Sequence, residues 1–78
     1  MSKFLHLGFN NFVNIDKVIS IAEFNSAPVK RLVQEARDRG NLIDVTQGRR
    51  TTSVISTETH VIICANKPQT LVGRTNND

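Results

Sequence analysis

Apolar and polar positions along this chain come in short blocks at first, change to a helical spacing near the middle, and return to short blocks. Phe4 to Leu7 and Asn11 to Ile15 flank Gly8 as two short strands, and Lys17 to Phe24, rich in β-branched residues at Val18, Ile19 and Ile21, reads as a third. Together they predict an opening antiparallel sheet. Asn25 or Ser26 can then cap a helix whose first turn accepts Pro28, because the missing proline N–H falls among donors that have no intrahelical partner. Val29, Leu32, Val33 and Ala36 recur at i, i+3, i+4 and i+7, which gathers them on one apolar stripe. Gly40 supplies the left-handed residue that ends such a helix, and Arg37 and Arg39 complement its dipole. Arg31 with Glu35, and Glu35 with Arg39, stand at ion-pair spacing. Beyond it, Leu42 to Thr46, a Gln47-Gly48 turn and a returning strand from Thr51 to Ser56 predict a hairpin. His60 to Ala65 carries the run Val61-Ile62-Ile63-Cys64-Ala65, the mark of a strand buried on both faces. Pro68 to Arg74 closes the chain with a short helix.

The fold class is therefore α+β, with small, largely antiparallel sheets packed against one main helix of about residues 26–39 and a short C-terminal helix. Residues 1–74 form a single domain, and residues 75–78 a polar, frayed tail. At 78 residues the chain buries only about 60% of the surface it exposes when unfolded, so subunits that share surface would gain stability. The longest apolar run, Val61 to Ala65, is far short of the roughly 20 residues that span a bilayer. The opening residues lack the apolar core of a secretory signal, and the one cysteine, Cys64, cannot close an internal disulfide. The expected setting is the cytoplasm, with no membrane partner.

Charge changes this picture once it is resolved by position. The net charge is +3, and all of it lies between Lys30 and Arg50, where Lys30, Arg31, Arg37, Arg39, Arg49 and Arg50 outnumber Glu35, Asp38 and Asp44. A concentrated positive face is a footprint for polyanions, although on a single small subunit it is weak. Gly48-Arg49-Arg50-Thr51 is its most suggestive part. Two adjacent guanidinium groups cannot both be buried without partners, and a Gly-flanked turn can offer their planar forks to phosphate. The residues alone leave open a phosphate site, a solvated loop or an intersubunit salt bridge.

Catalysis is disfavoured. His6 and His60 are the only histidines, and Cys64 sits in an apolar strand where desolvation keeps a thiol inert. Two His and one Cys lack the spacing of a structural zinc site, His60 reads as a hydrogen-bonded turn residue, and the four glycines are too scattered for a phosphate loop. No cofactor and no small-molecule substrate are expected. The aromatic residues Phe4, Phe9, Phe12 and Phe24 all lie away from the basic stretch and are assigned to the core or to a subunit interface. Duplex binding through the backbone suits these residues better than base stacking on single strands.

The order and spacing of Ser26-Ala27-Pro28-Val29-Lys30-Arg31, Glu35-Ala36-Arg37-Asp38-Arg39-Gly40, Leu42-Ile43-Asp44 and Gly48-Arg49-Arg50-Thr51 resemble those of the bacterial RemA family. The likeness is collinear from about Lys3 to Arg74 and takes in Gly8-Phe9, Ile19-Ser20-Ile21 and His60-Val61-Ile62. It implies a cytoplasmic DNA-binding regulator of extracellular-matrix and biofilm genes that closes into a homo-oligomeric ring and bends or wraps double-stranded DNA. It also implies that Arg49, Arg50 and Lys17 are the DNA-binding residues. Lys30 and Arg31, in the same basic stretch, are secondary candidates. Position 17 is Lys where the family commonly has Arg, which keeps the charge but loses the bidentate fork, and Thr52 stands where many members carry a further basic residue. The alternatives are a scaffolding ring without nucleic acid, its basic residues paired with Asp16, Asp38 or Asp44 of neighbouring subunits, and an RNA-binding module.

Overall fold

The computed structural model describes residues 3–76. Strands β1 (Phe4–Gly8) and β2 (Asn11–Asn14) form an antiparallel hairpin. Its connection, Phe9-Asn10, has both residues left-handed, at φ 54° and 64°, the twist that a two-residue hairpin turn needs. Asn adopts that conformation readily; Phe does so at a cost of roughly 1–2 kcal/mol. Leu5 and Leu7 point into the core, whereas Phe4 and Phe12 stay exposed and Phe12 stacks on His6 with ring centroids 4.9 Å apart.

The opening three-stranded sheet does not form. A turn of 3-10 helix at Ile15–Lys17, capped by Asn14 Oδ1 accepting from Asp16 N at 3.0 Å, redirects the chain. Strand β3 (Val18–Glu23) accordingly joins a second sheet with β4 (Leu42–Asp44), β5 (Ser53–Thr57) and β6 (Val61–Cys64), in the order β3-β5-β6-β4. β3 with β5 and β5 with β6 are antiparallel, but β4 runs parallel to β6. The expected β4–β5 hairpin is therefore absent. β6 lies beside β5, and Val61, Ile62, Ile63 and Cys64 are all buried because elements pack on both faces of the sheet there.

Helix α1 (Ala27–Arg39) lies on one face of this sheet. Ser26 caps it by accepting from Val29 N at 3.4 Å, Pro28 sits in the first turn, and Gly40 closes it at φ 77°. Val33 and Ala36 pack onto Val54, Val61 and Ile63, Val29 joins their edge, and Leu32 remains 41% exposed. The anticipated Arg31–Glu35 and Glu35–Arg39 pairs do not close; Gln34 Nε2 instead donates to Asp38 Oδ1 at 2.9 Å.

The other face is covered by the hairpin and by α2 (Pro68–Asn76), so the molecule has three layers. Leu5, Leu7 and Leu71 meet Ile55, Ile62 and Cys64 there, with Leu71, Ile55 and Cys64 wholly buried. Arg74 Nη1 donates to the His6 carbonyl at 2.6 Å, fastening α2 to the hairpin. Backbone helix continues through Thr75 and Asn76, two residues into the anticipated tail; Asn77 and Asp78 lie outside the described residues. Of the four phenylalanines, only the half-buried Phe24 packs against the core; Phe4, Phe9 and Phe12 are exposed, which removes the core reading for those three.

Removing the Leu71 side chain leaves a cavity between α2 and the sheet. Leu71→Ala should lower the unfolding free energy by about 2–5 kcal/mol, against less than about 1 kcal/mol for the exposed Val72→Ala. Urea denaturation at one fixed protein concentration measures both.

Candidate nucleic-acid interface

The loop Val45 to Thr52 leaves one edge of the sheet and enters β5, so it passes over the end of β6. Both of its ends bond to that strand, Val45 N donating to the Ile63 carbonyl at 3.0 Å and Thr52 N to the Cys64 carbonyl at 2.9 Å. Phe24 N donates to the Thr52 carbonyl at 2.9 Å, which draws in the end of β3 and the start of α1. Val45 and Thr46, the first two residues of the loop, are buried. Asp44 Oδ1 secures it further by accepting from Thr46 Oγ1 at 2.7 Å and from Thr46 N at 2.9 Å. Those two bonds, the hydroxyl's first, hold the Asp44 carboxyl below its usual range, with a smaller contribution from Arg37 opposing a small cost of burial.

A tight turn follows, as the sequence suggested. Arg49 N donates to the Thr46 carbonyl at 3.0 Å, with Gln47 at φ 56° and Gly48 at φ 79°. This turn lifts Arg49 and Arg50 out of the protein, and both are exposed. They sit in the loop, not on β5, which begins at Ser53. Arg49 lies over the Phe9 ring, 5.4 Å from its centroid. Arg50 has no hydrogen-bond or ion-pair partner among the described residues, and it lines two surface concavities at once. One, about 460 Å³, is shared with Arg49, Phe9 and Asn66. The other, about 430 Å³, is shared with Lys30, Phe24, Thr51 and Glu23. Lys30 Nζ lies 5.8 Å from the centroid of Phe24.

Three of the five cations singled out in the sequence therefore meet at one end of the molecule: Arg49, Arg50 and Lys30. Arg31, exposed on α1, lines neither concavity. Lys17 is elsewhere. Val18 pairs with Thr57 and Glu23 with Ser53, so Lys17 stands at the far end of β3, about 17 Å along the strand direction. There it borders an apolar groove with Phe12, Ile43, Glu58 and His60.

Two residues outside the candidate set shape the site. Asn66 Nδ2 donates to the Leu7 carbonyl at 2.9 Å, and the Asn66 carbonyl accepts from the buried Ser53 Oγ at 2.5 Å, so this residue joins the hairpin to the sheet beside Arg49. Phe9 supplies the aromatic face. Its neighbour Gly8 signalled a turn, but nothing local pointed across the chain to Arg49.

Other chemistry finds little here. His60 is held in its turn by Thr57 Oγ1, which donates to its carbonyl and accepts from its N–H, and by Thr59 Oγ1 2.8 Å from Nδ1. No metal-binding group of side chains occurs among the described residues. Cys64 is fully buried, and desolvation pushes its thiol up, opposed by smaller contributions from the Asn66 backbone and the Arg74 charge. No helix among the described residues is long and apolar enough to cross a membrane.

The sequence profile of RemA-like, extracellular matrix regulatory protein A-like, proteins matches residues 4–75. The chain belongs to the RemA-like family. Relatives carrying the name of candidate regulatory proteins include one from Brevibacillus brevis, 51% identical over 92% of this chain and 85% of its own. One from Carboxydothermus hydrogenoformans is 49% identical over 95% and 86%. One from Clostridium kluyveri is 51% identical over 92% and 79%. This RemA-like chain thus shares nearly its whole length with proteins named for regulation, and the fold described above is a RemA-like domain.

Two measurements check the local chemistry. Asp44 has a folded-state pKa below its unfolded value, so its ionised form adds stability that is complete above about pH 4 and is lost as pH falls through the folded value. The stability advantage of wild type over Asp44→Asn should accordingly be present at pH 7 and shrink in acid, as followed by thermal melts. Cys64 should resist an exposed-thiol reagent in the native protein and react fully in denaturant; fast native labelling contradicts the packing of β6.

Proposed function

We propose that this RemA-like protein is a cytoplasmic, DNA-binding transcriptional regulator that grips the duplex backbone from a ring of identical subunits. The observation that carries the reading is Arg50: an exposed guanidinium with no partner among the described residues, held where the concavities of Arg49 and Lys30 meet. A planar, permanently charged fork left unpaired on a hydrogen-bonded loop suits a phosphate oxygen pair.

One subunit offers too little charge for tight binding. Self-association is favoured by the apolar surface left over after folding, with Phe4 66%, Ile19 66%, Phe12 58% and Ile43 41% exposed on a protein this small. Some of these flank β3 and β4, the two unpaired edges of the larger sheet. A head-to-tail ring repeats Lys17, Arg49 and Arg50 at every step. Modest affinities then combine along one duplex. Contacts of this kind go to the backbone, so preference among sequences follows DNA shape and deformability, and bending or wrapping accompanies engagement of several subunits. The regulatory names of the relatives support a regulatory role over an enzymatic one.

If each of three engaged subunits neutralises about two phosphates, log K falls against log salt with a slope of about −5. Arg50→Ala should reduce the slope to about −3 and weaken duplex binding about 10- to 100-fold at physiological salt. Light scattering must first show the oligomer unchanged. An Arg49→Ala/Arg50→Ala protein of wild-type size that binds duplex as tightly as wild type overturns the proposal, and a strictly monomeric wild type removes the ring.

A further inference from the structure

Phe9 breaks a local rule. It occupies the first central position of a tight hairpin turn at φ 54°, a place where Asn, Asp or Gly is at ease and a bulky aromatic residue is an outlier. Its ring does not repay this by core packing, because Phe9 is 47% exposed and belongs to neither buried cluster. Backbone outliers of this kind persist where the side chain is needed in one place. The place is evident: the Phe9 ring lies under Arg49, with the guanidinium carbon 5.4 Å from the ring centroid, inside the usual range of a cation–π contact.

The surroundings hold the ring rather than the arginine. Asn11 Nδ2 donates to the carbonyls of Gly8 and Phe9, at 3.1 and 3.2 Å, fixing the turn. Asn66 Nδ2 donates to the Leu7 carbonyl just before it, and a side chain at Gly8 would meet that same Nδ2 at 3.1 Å, so the hairpin is seated closely against the sheet. Arg49, by contrast, has no hydrogen bond from its side chain among the described residues. Its contact with the ring is the one side-chain interaction found for it among the described residues.

We infer that Phe9 is a positioning residue whose strained turn sets an aromatic seat for Arg49, limiting the guanidinium to orientations that face outward. The inference rests on the reading of Arg49 as a phosphate contact. Its logic is preorganisation: a long side chain restrained before binding loses less freedom on meeting the phosphate, and the stacked face leaves all five N–H donors at the rim for the ligand. Phe24 under Lys30 offers no equivalent device, since Phe24 packs against the core cluster of α1.

Phe9→Leu keeps the apolar bulk and the strained backbone but removes the aromatic face. On the full chain it should weaken duplex binding about two- to fivefold for each subunit engaged, with the salt slope unchanged because no charge is lost. Phe9→Tyr should restore wild-type affinity. In an Arg49→Ala background Phe9→Leu should cost nothing. Equal losses in both backgrounds, or no loss in either, overturn the inference. An Arg49→Ala protein that binds DNA like wild type overturns the phosphate reading instead, and a second measurement then still tests the seat. The chain contains no Trp or Tyr, so Phe9→Trp installs a single fluorophore. Its emission should shift on Arg49→Ala and stay put on Arg50→Ala, without DNA present; an emission indifferent to Arg49 sinks the seat outright.

Discussion

Strand β4 runs parallel to β6 and lies on the side of it away from β5. The chain leaving β4 must therefore cross the end of β6 before it can enter β5, and that crossing is the loop that carries Arg49 and Arg50. An ordinary hairpin between β4 and β5 would have set the two arginines beside a paired strand. The crossing lays them over a strand end instead, where the carbonyls of Ile63 and Cys64 tie down the loop and Asp44 caps it through Thr46. The arrangement depends on β6 being a strand that must be covered on both faces. Its four side chains are buried by α1 on one face and by the hairpin and α2 on the other, and with β4 on its outer side the loop has to span its end.

The same end of the sheet collects everything else that matters to the site. Two turns with consecutive positive φ angles, Phe9-Asn10 and Gln47-Gly48, come together there from different parts of the chain. The second places Gly48 at one of its left-handed positions and the unbranched Gln47 at the other. The first uses a phenylalanine where the fold would prefer a small polar residue, and Asn66 anchors the strand that leads into it. Strain at one turn and a hydrogen bond from a third segment thus converge on the orientation of one guanidinium group. α1 contributes Lys30 to the neighbouring concavity because Ser26, its cap, stands only three residues past Glu23, the end of β3.

A protein of this size divides its apolar residues between an interior it can fill and a surface it cannot. Ile55, Cys64 and Leu71 complete one core and Val54 with Val33 the other, while Phe4, Phe12, Ile19 and Ile43 remain outside. That remainder stands beside a modest net charge of +3. In the proposed ring both quantities would act per subunit, the apolar surface joining neighbours and the charge repeating around it.

The sequence by itself determined the elements. Ser26, Pro28, the stripe from Val29 to Ala36 and Gly40 specify α1 almost residue by residue, since capping and periodicity act within a few positions. The uninterrupted Val61-Ile62-Ile63-Cys64 run marked an interior strand, and the Gln47-Gly48 turn was legible from its φ requirement. The charge map, too, singled out Lys30, Arg49 and Arg50 before any geometry. Pairing was decided only in three dimensions. That β3 deserts the hairpin for β5, and that β4 lies parallel to β6, depend on which faces can be buried together, a property of no single segment. For the same reason the tertiary structure alone separates Lys17 from the paired arginines and brings Phe9 beneath Arg49, across forty residues of chain. Local rules act through neighbours in sequence; this contact exists because a hairpin and a crossing loop must share one end of a sheet.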